Sequence, residues 1–366
     1  MRILADVRLL SRGGVSGIEE YTRNIIRSLL AGDSSNSYRL FYSGLRKQPL
    51  DLTGAEVVDW RIPNKLLDVS ARLFNFPSIG ERLGADLIFS PHFNLLASGR
   101  TPRVVTFHDL SFLHHPYFFS GKQRFWHWLQ NVRKQTASAA KIIAVSDFTK
   151  SDLIGLLGVP EEKVEVVYSG LSPEFRVLDK KHIAEARPFF LSLGTLEPRK
   201  NVPAIIRAFN LIKKDPVFSD WQLVIAGKQG WIHRSIDREA AASPFRSDIV
   251  FTGMVKPEER VLLYNLAKVF VYPSFFEGFG FPPLEAQASG CPVVASDRAS
   301  LPEVLGKSAL LVNPWKVEDL AGAMKEAALN ASLREKLVAG GLKNAAGFTW
   351  ENAAKKTIEV FNNAVR

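Results

Sequence analysis

Residues 269–292 read VFVYPSFFEGFGFPPLEAQASGCP. The first four are β-branched or aromatic, the composition of a strand buried on both faces of a parallel sheet. Pro273 ends that run. Pro282 and Pro283 suit the first turn of a helix, where a missing N–H costs nothing, and Gly290 suits its end. The stretch is therefore strand, loop, helix. Glu277 falls in the loop and Glu285 in the first turns of the helix. Gly278 and Gly280 let the backbone approach a ligand closely, and the helix N-terminus favours an anion. One turn thus offers two carboxylates for hydroxyls and several N–H donors for phosphate. The spacing fits equally a loop cap at Glu277 with Glu285 balancing the helix dipole. A carboxylate pair for acid–base hydrolysis is a third reading, and the spacing does not separate the two acids by a known distance.

The same pattern repeats outward. Short apolar runs begin at Arg2, Tyr38, Asp86, Arg103, Lys141 and Val164, then at Phe189, Trp221, Asp248, Val269, Pro292 and Ala309. Many end in Gly, Ser, Asp or Pro, which mark turns. Helical patterns fill the gaps: 17–32, with Tyr21, Ile25, Ile26 and Leu29 on one face, then 201–214, 316–337 and an amphipathic 348–365. Strands alternating with helices over 366 residues predict an α/β protein. Its length asks for two cores, hence two doubly wound Rossmann-like domains. Residues 1–175 form the first and 188–350 the second. The polar, proline-bounded segment 173–188 is read as the linker, and 351–366 as a C-terminal helix packing back on the first domain. Ligands of such sheets sit beyond the carboxyl ends of the strands, so the strand-end loops are the candidate sites.

Composition narrows the class. Apolar content of 46% and charged content of 23% exclude a disordered chain. The single cysteine, Cys291, excludes an intramolecular disulfide and a cysteine zinc cage, and is read as a small buried side chain. Net charge is +10, shared evenly between residues 1–180 and the remainder. Such a surplus suits anionic partners but selects none, and no basic run of the nucleic-acid-binding kind is present. No apolar run approaches a membrane span and no secretory signal pattern opens the chain, which points to the cytoplasm.

Four further loops carry candidate chemistry. LSLGTLEPRKN, from Leu191, brings Thr195 and the cations Arg199 and Lys200 to a strand end, where they suit a diphosphate or a solvated turn. DIVFTGMV, from Asp248, places Met254 and Val255 at another. VTFHDL, from Val105, places His108 and Asp109 at a third; a lone strand-end histidine is usually structural. SRGGVSGIEEYTRNI, from Ser11, is glycine-rich at Gly13, Gly14 and Gly17 and leads into a helix. It is not a dinucleotide fingerprint, since Arg8 follows the first strand, so a nicotinamide dehydrogenase is disfavoured. His114 and His115 lack a carboxylate cluster at ligand spacing, so no metal site is expected. The stretch 114–136 mixes aromatic with basic residues, either half in the core or as an amphipathic surface for a membrane or lipid-linked acceptor.

The run from Glu277 to Glu285 resembles the E-x7-E signature of the retaining family-4 glycosyltransferases. The similarity extends over the whole chain and is strongest from Phe189 to Pro314. The resemblance implies the GT-B fold, two Rossmann-like domains facing across a cleft. It implies that Glu277, with the backbone N–H groups of Gly278 and Phe279, holds the hydroxyls of a donor sugar, and that Glu285 holds the ribose. Arg199 and Lys200 match the loop that neutralises the diphosphate, although Thr195 stands where many members have arginine. Met254 and Val255 match the base contact, and His108 lies near the donor sugar with Asp109 positioning its loop. Gly14 and Gly17 match a glycine-rich loop near the donor phosphate, although Glu19 stands where many members have glycine. Metal-independent, retaining hexosyl transfer follows, with no cofactor beyond the nucleotide-sugar co-substrate. GDP-mannose is the first expectation for the donor, then UDP-glucose or another UDP-sugar, then dTDP-rhamnose. The acceptor expected is a growing, lipid-linked glycan at the inner face of the cytoplasmic membrane. A non-catalytic sugar-nucleotide-binding subunit and a phosphorolytic enzyme are the competing classes.

Overall fold

The computed structural model describes residues 1–13, 16–45, 49–179, 187–230 and 234–365. Their chain divides into two compact units. Unit one holds Met1–His114, Gly121–Gly170 and Phe348–Arg366, and unit two holds His115–Ser120 and Leu171–Gly347.

Unit one is built on strands β1 (Arg2–Asp6), β2 (Ser37–Tyr42), β3 (Glu56–Asp59), β4 (Leu87–Ser90), β5 (Arg103–Phe107), β6 (Lys141–Ala144) and β7 (Val164–Val166). They form one parallel sheet in the order β3-β2-β1-β4-β5-β6-β7. Unit two holds β8 (Phe189–Leu193), β9 (Gln222–Ala226), β10 (Ile249–Gly253), β11 (Val269–Tyr272), β12 (Val293–Ser296) and β13 (Leu310–Val312). These are also parallel, in the order β10-β9-β8-β11-β12-β13. Both sheets are doubly wound, and their strand order reverses between β1 and β4 and between β8 and β11. Strands β4, β5, β8, β11 and β12 are buried along their whole length, as their largely apolar sequences predict.

The expected apolar runs each overlap one of these strands, and β3 is not among them. Its sequence, EVVD, is short and lies at the sheet edge with no residue fully buried, so little apolar patterning is needed there. The pattern over 316–337 is also corrected: it is two helices, Val317–Leu329 and Ala331–Ala345. Asn330 leaves the helical conformation (ψ 99°), and its side chain accepts the N–H of Leu333 at 3.0 Å, so it caps the second helix.

The chain leaves unit one at Gly170, earlier than the expected end at residue 175. Part of the expected linker is docked on unit two: Leu178 N–H donates to Asn265 Oδ1 (2.8 Å), and Asn265 Nδ2 donates to the Arg176 carbonyl (3.0 Å). Residues 180–186 of that linker lie outside the described residues. The last helix, Trp350–Ala364, returns to unit one, where Trp350 meets Tyr21 edge-on at 5.6 Å and Phe361 meets Phe89 at 5.1 Å. This return explains Gly170: a Cβ there would lie 2.2 Å from the Trp350 nitrogen. The core of unit two packs Ile205 and Phe209 of the helix Val202–Ile212 together with Phe190 and Phe218. No helix among the described residues is long and apolar enough to cross a membrane.

Candidate active site

In unit two, the loops after β8 and β11 meet at the point where strand order reverses. After β11, Ser274–Gly280 is a buried loop apart from a half-buried Phe275. Gly280 ends it at φ 102°, a conformation that L side chains rarely adopt, and opens the helix Phe281–Ala288 with a proline in its first turn. Ser300 ties the loop down, its hydroxyl lying 2.9 Å from the Glu277 carbonyl and 3.1 Å from that of Phe279.

Glu277 is 6% exposed. Its Oε1 accepts from Lys200 Nζ at 2.7 Å and Ser274 Oγ at 2.5 Å, and its Oε2 from Arg199 Nη1 at 3.2 Å. Burial alone would raise its pKa. Arg199 and then Lys200 outweigh burial and hold the carboxyl down at about 2. Arg199 is fixed in turn by Glu197, whose Oε1 accepts from Nε (3.0 Å) and Nη2 (2.8 Å). Lys200 also donates to the Tyr272 hydroxyl. Burial pulls the Lys200 pKa below its usual value even with Glu277 facing it. Two carboxylates and two cations thus form one compensated cluster. Spacing suggests separate roles for Arg199, Lys200 and Glu277, and the fold joins them.

Glu285 is also buried. Its Oε1 accepts from Arg260 Nη2 and its Oε2 from the Tyr264 hydroxyl, both at 2.7 Å. Tyr264 and Arg260 come from the helix Pro257–Leu266. Thr195 lines a small cavity with Lys200 and Tyr272 at the end of β8. Met254 follows β10 and is 78% exposed, with Val255 half-buried beside it. Next to them a cavity of about 380 Å³ is lined by Gly227, Gln229, Asp237, Arg246, Phe251 and Gly253.

His108, Asp109 and Gly17 belong to unit one. His108 Nε2–H donates to the Pro91 carbonyl at 2.8 Å, and its ring meets Tyr21 edge-on at 4.6 Å. Burial lowers its pKa, more than that carbonyl raises it. Asp109 Oδ1 accepts the N–H (2.9 Å) and hydroxyl (2.6 Å) of Ser111 and shapes the turn after β5. Gly17 begins the helix Gly17–Gly32, while Gly14 lies outside the described residues. Glu19 anchors the start of that helix. Its carboxylate accepts the Ser16 N–H at 2.8 Å, and Ser16 Oγ accepts the Glu19 N–H, a capping box. His114 and His115 have different partners, Asp152 (2.9 Å) and the Tyr117 hydroxyl (2.9 Å). Among the described residues no group of three His, Cys, Asp or Glu is placed to hold a metal.

Sequence reasoning missed a buried polar network at the carboxyl ends of β1 and β4. Arg8 is 1% exposed and grips Asp6 with Nε (2.9 Å) and Nη2 (2.8 Å), with Asp68 at 3.5 Å. Arg103 donates to Ser90, Gln135 and the Asn94 carbonyl. His92 Nδ1 accepts the Asn94 N–H, and its Nε2 lies 4.0 Å from Asp6. Burial, chiefly, drives the His92 pKa down to about 3. Below about pH 6.5 the unfolded chain protonates this histidine while the folded chain does not, so stability falls with pH until about pH 3. His127, lowered to about 4 by burial, acts in the same direction. Asp6, held at about 2 by Arg8 against burial, adds its loss only below about pH 4. Urea unfolding midpoints are therefore expected to start falling near pH 6.5. His92→Gln should flatten the slope between pH 6.5 and 4.5 by up to about 1.4 kcal/mol per pH unit. An unchanged slope would remove His92 from this account.

Known proteins bear on this site and fold. Residues 15–175 match the model of Glycosyltransferase Family 4, and residues 175–344 match that of Glycosyl transferases group 1. An O-antigen chain mannosyltransferase B of Escherichia coli is 33% identical over 267 residues, covering 70% of this chain and 69% of that protein. A serotype-specific mannosyltransferase of the same organism is 31% identical over 274 residues; the match spans 72% of this chain but 34% of the relative. Among solved structures, a sucrose-phosphate synthase from Thermosynechococcus elongatus superposes with a TM-score of 0.80 at 18% identity, covering 99% of this chain and 98% of that one. The Anabaena protein HepE in complex with UDP and glucose gives 0.76 at 17% identity, covering 99% of each chain. The two parallel α/β sheets are those of the GT-B glycosyltransferase fold. The chain belongs to glycosyltransferase family 4.

Proposed function

We propose that this glycosyltransferase moves mannose from GDP-mannose to a growing, lipid-linked glycan with retention of anomeric configuration and without a metal. The observation that carries the donor site is the Glu277 cluster at the junction of β8 and β11. A carboxyl held near a pKa of 2 is a poor general base, and at neutral pH it stays ionised and can only accept hydrogen bonds from sugar hydroxyls. Both its oxygens are already engaged by Lys200, Ser274 and Arg199, which disfavours it as a nucleophile. Breaking the bond from the anomeric carbon to the diphosphate leaves negative charge on the phosphate. Arg199 and Lys200 are preorganised cations beside that position. The acceptor hydroxyl then bonds the anomeric carbon on the same face, and its proton passes to the departing phosphate oxygen. The cavity beside Met254 offers room for the base, and Glu285, whose oxygens face Arg260 and Tyr264, is the acceptor assigned to the ribose hydroxyls. Mannose and a polysaccharide acceptor are favoured by the names of the relatives at 31–33% identity.

The test is turnover of GDP-mannose, UDP-glucose and dTDP-rhamnose with a lipid-linked glycan acceptor, the product anomer being read by NMR. Mannosyl transfer with retention is expected. Phosphate-dependent release of a sugar phosphate, inversion, or no turnover of any nucleotide-sugar would each contradict the reading.

A further inference from the structure

Two helices of unit one carry apolar surface that the fold does not bury. In Asn64–Phe74, Leu67 and Ala71 face the core. Leu66, Val69 and Leu73, spaced i, i+3 and i+7, form a second apolar stripe on the opposite side, 61%, 39% and 67% exposed. A helix that is apolar on both sides normally has both covered. The helix Gly121–Gln130 packs beside it and exposes Phe125 and Trp128, stacked at 5.6 Å. The Arg72 guanidinium lies 5.2 Å from the Trp128 ring centroid and joins the two surfaces.

Charge identifies the occupant. Lys65, Lys122 and Arg124 are exposed on these helices. The acid between residues 60 and 80 is Asp68, and it is buried near Arg8; residues 110–146 contain none. A second copy seated face to face would set cation against cation. An anionic bilayer accepts both features: indole and aliphatic groups enter the headgroup boundary while Lys and Arg reach lipid phosphates. Trp126 and His127 take no part, since they turn inward toward Phe93 and Phe112. The stretch 115–120 belongs to unit two, where Phe118 stacks on Phe275.

We propose that the helices Asn64–Phe74 and Gly121–Gln130 form a docking face for an anionic phospholipid bilayer. This face brings the enzyme to lipid-linked acceptors if the reading above holds. Its own test needs no turnover, so the two fail separately. The purified full chain is floated with phosphatidylglycerol-containing vesicles and with phosphatidylcholine vesicles. Binding to the former only is expected, weakening as salt rises. Leu73→Ser/Trp128→Ser should lower binding roughly tenfold or more, because two apolar side chains no longer enter the boundary. Lys65→Glu/Lys122→Glu should weaken binding at low salt and flatten the salt dependence. Melting temperatures of both surface variants should match the parent. No flotation with anionic vesicles, or undiminished flotation of the Leu73/Trp128 variant, would overturn the proposal. So would a dimer in light scattering that the same substitutions dissociate, since the face would then join two copies.

Discussion

Replacing Glu277 by Gln is expected to slow sugar transfer by roughly 10²–10³-fold while leaving nucleotide affinity intact or slightly tighter. Gln keeps the shape of Glu and a carbonyl for Ser274, but removes the charge between Arg199 and Lys200. Those cations then lose an internal counter-charge and remain available to a diphosphate. Arg199 stays fixed by Glu197. The role proposed for the carboxylate, accepting hydrogen bonds from the sugar as charge develops on it, would be lost. Glu277→Ala should abolish transfer, with a further cost in stability from the emptied site. Single-turnover rates measured beside nucleotide dissociation constants separate the two effects. A variant with full activity, or one that loses nucleotide binding instead, would refute the assignment.

The second large effect concerns folding. Asp6→Asn is expected to destabilise unit one by about 3–5 kcal/mol, because it leaves the Arg8 cation buried with Asp68 as its remaining ion-pair partner. The value should fall toward the lower end, since Asp68 is 3.5 Å away. Arg8→Met should cost a similar amount by stranding Asp6. The double variant should cost less than the sum, because the Asp6–Arg8 interaction is then lost once and not counted twice. Denaturant midpoints of the three variants measure this directly. A single-variant cost under about 1 kcal/mol would mean that water reaches the pair.

The two effects differ in how far the sequence announces them. Buried parallel strands must be apolar on both faces, so β8, β11 and β12 stand out, whereas the exposed edge strand β3 is silent. Glu277, Arg199 and Lys200 are legible because each follows such a strand. Their partners are not: Tyr272 looks like a strand residue, and Glu197, Ser274 and Ser300 look like ordinary loop polars until the fold places them. Arg260 and Tyr264 reach Glu285 from a separate helix, with no local signal. The Asp6–Arg8 network is the least legible part. Charged residues are usually exposed, and only the convergence of β1, β4 and the helix Asn64–Phe74 reveals that these are buried.

The most direct test of the central claim is the shift in melting temperature with GDP, UDP, dTDP and ADP at matched concentrations, for the parent chain and Glu285→Ala. A ligand that binds only the folded state raises stability with the logarithm of its concentration over its dissociation constant. A shift with GDP that Glu285→Ala diminishes is expected. A shift with UDP or dTDP alone would overturn the donor, and no shift with any nucleotide would contradict the nucleotide-sugar site itself.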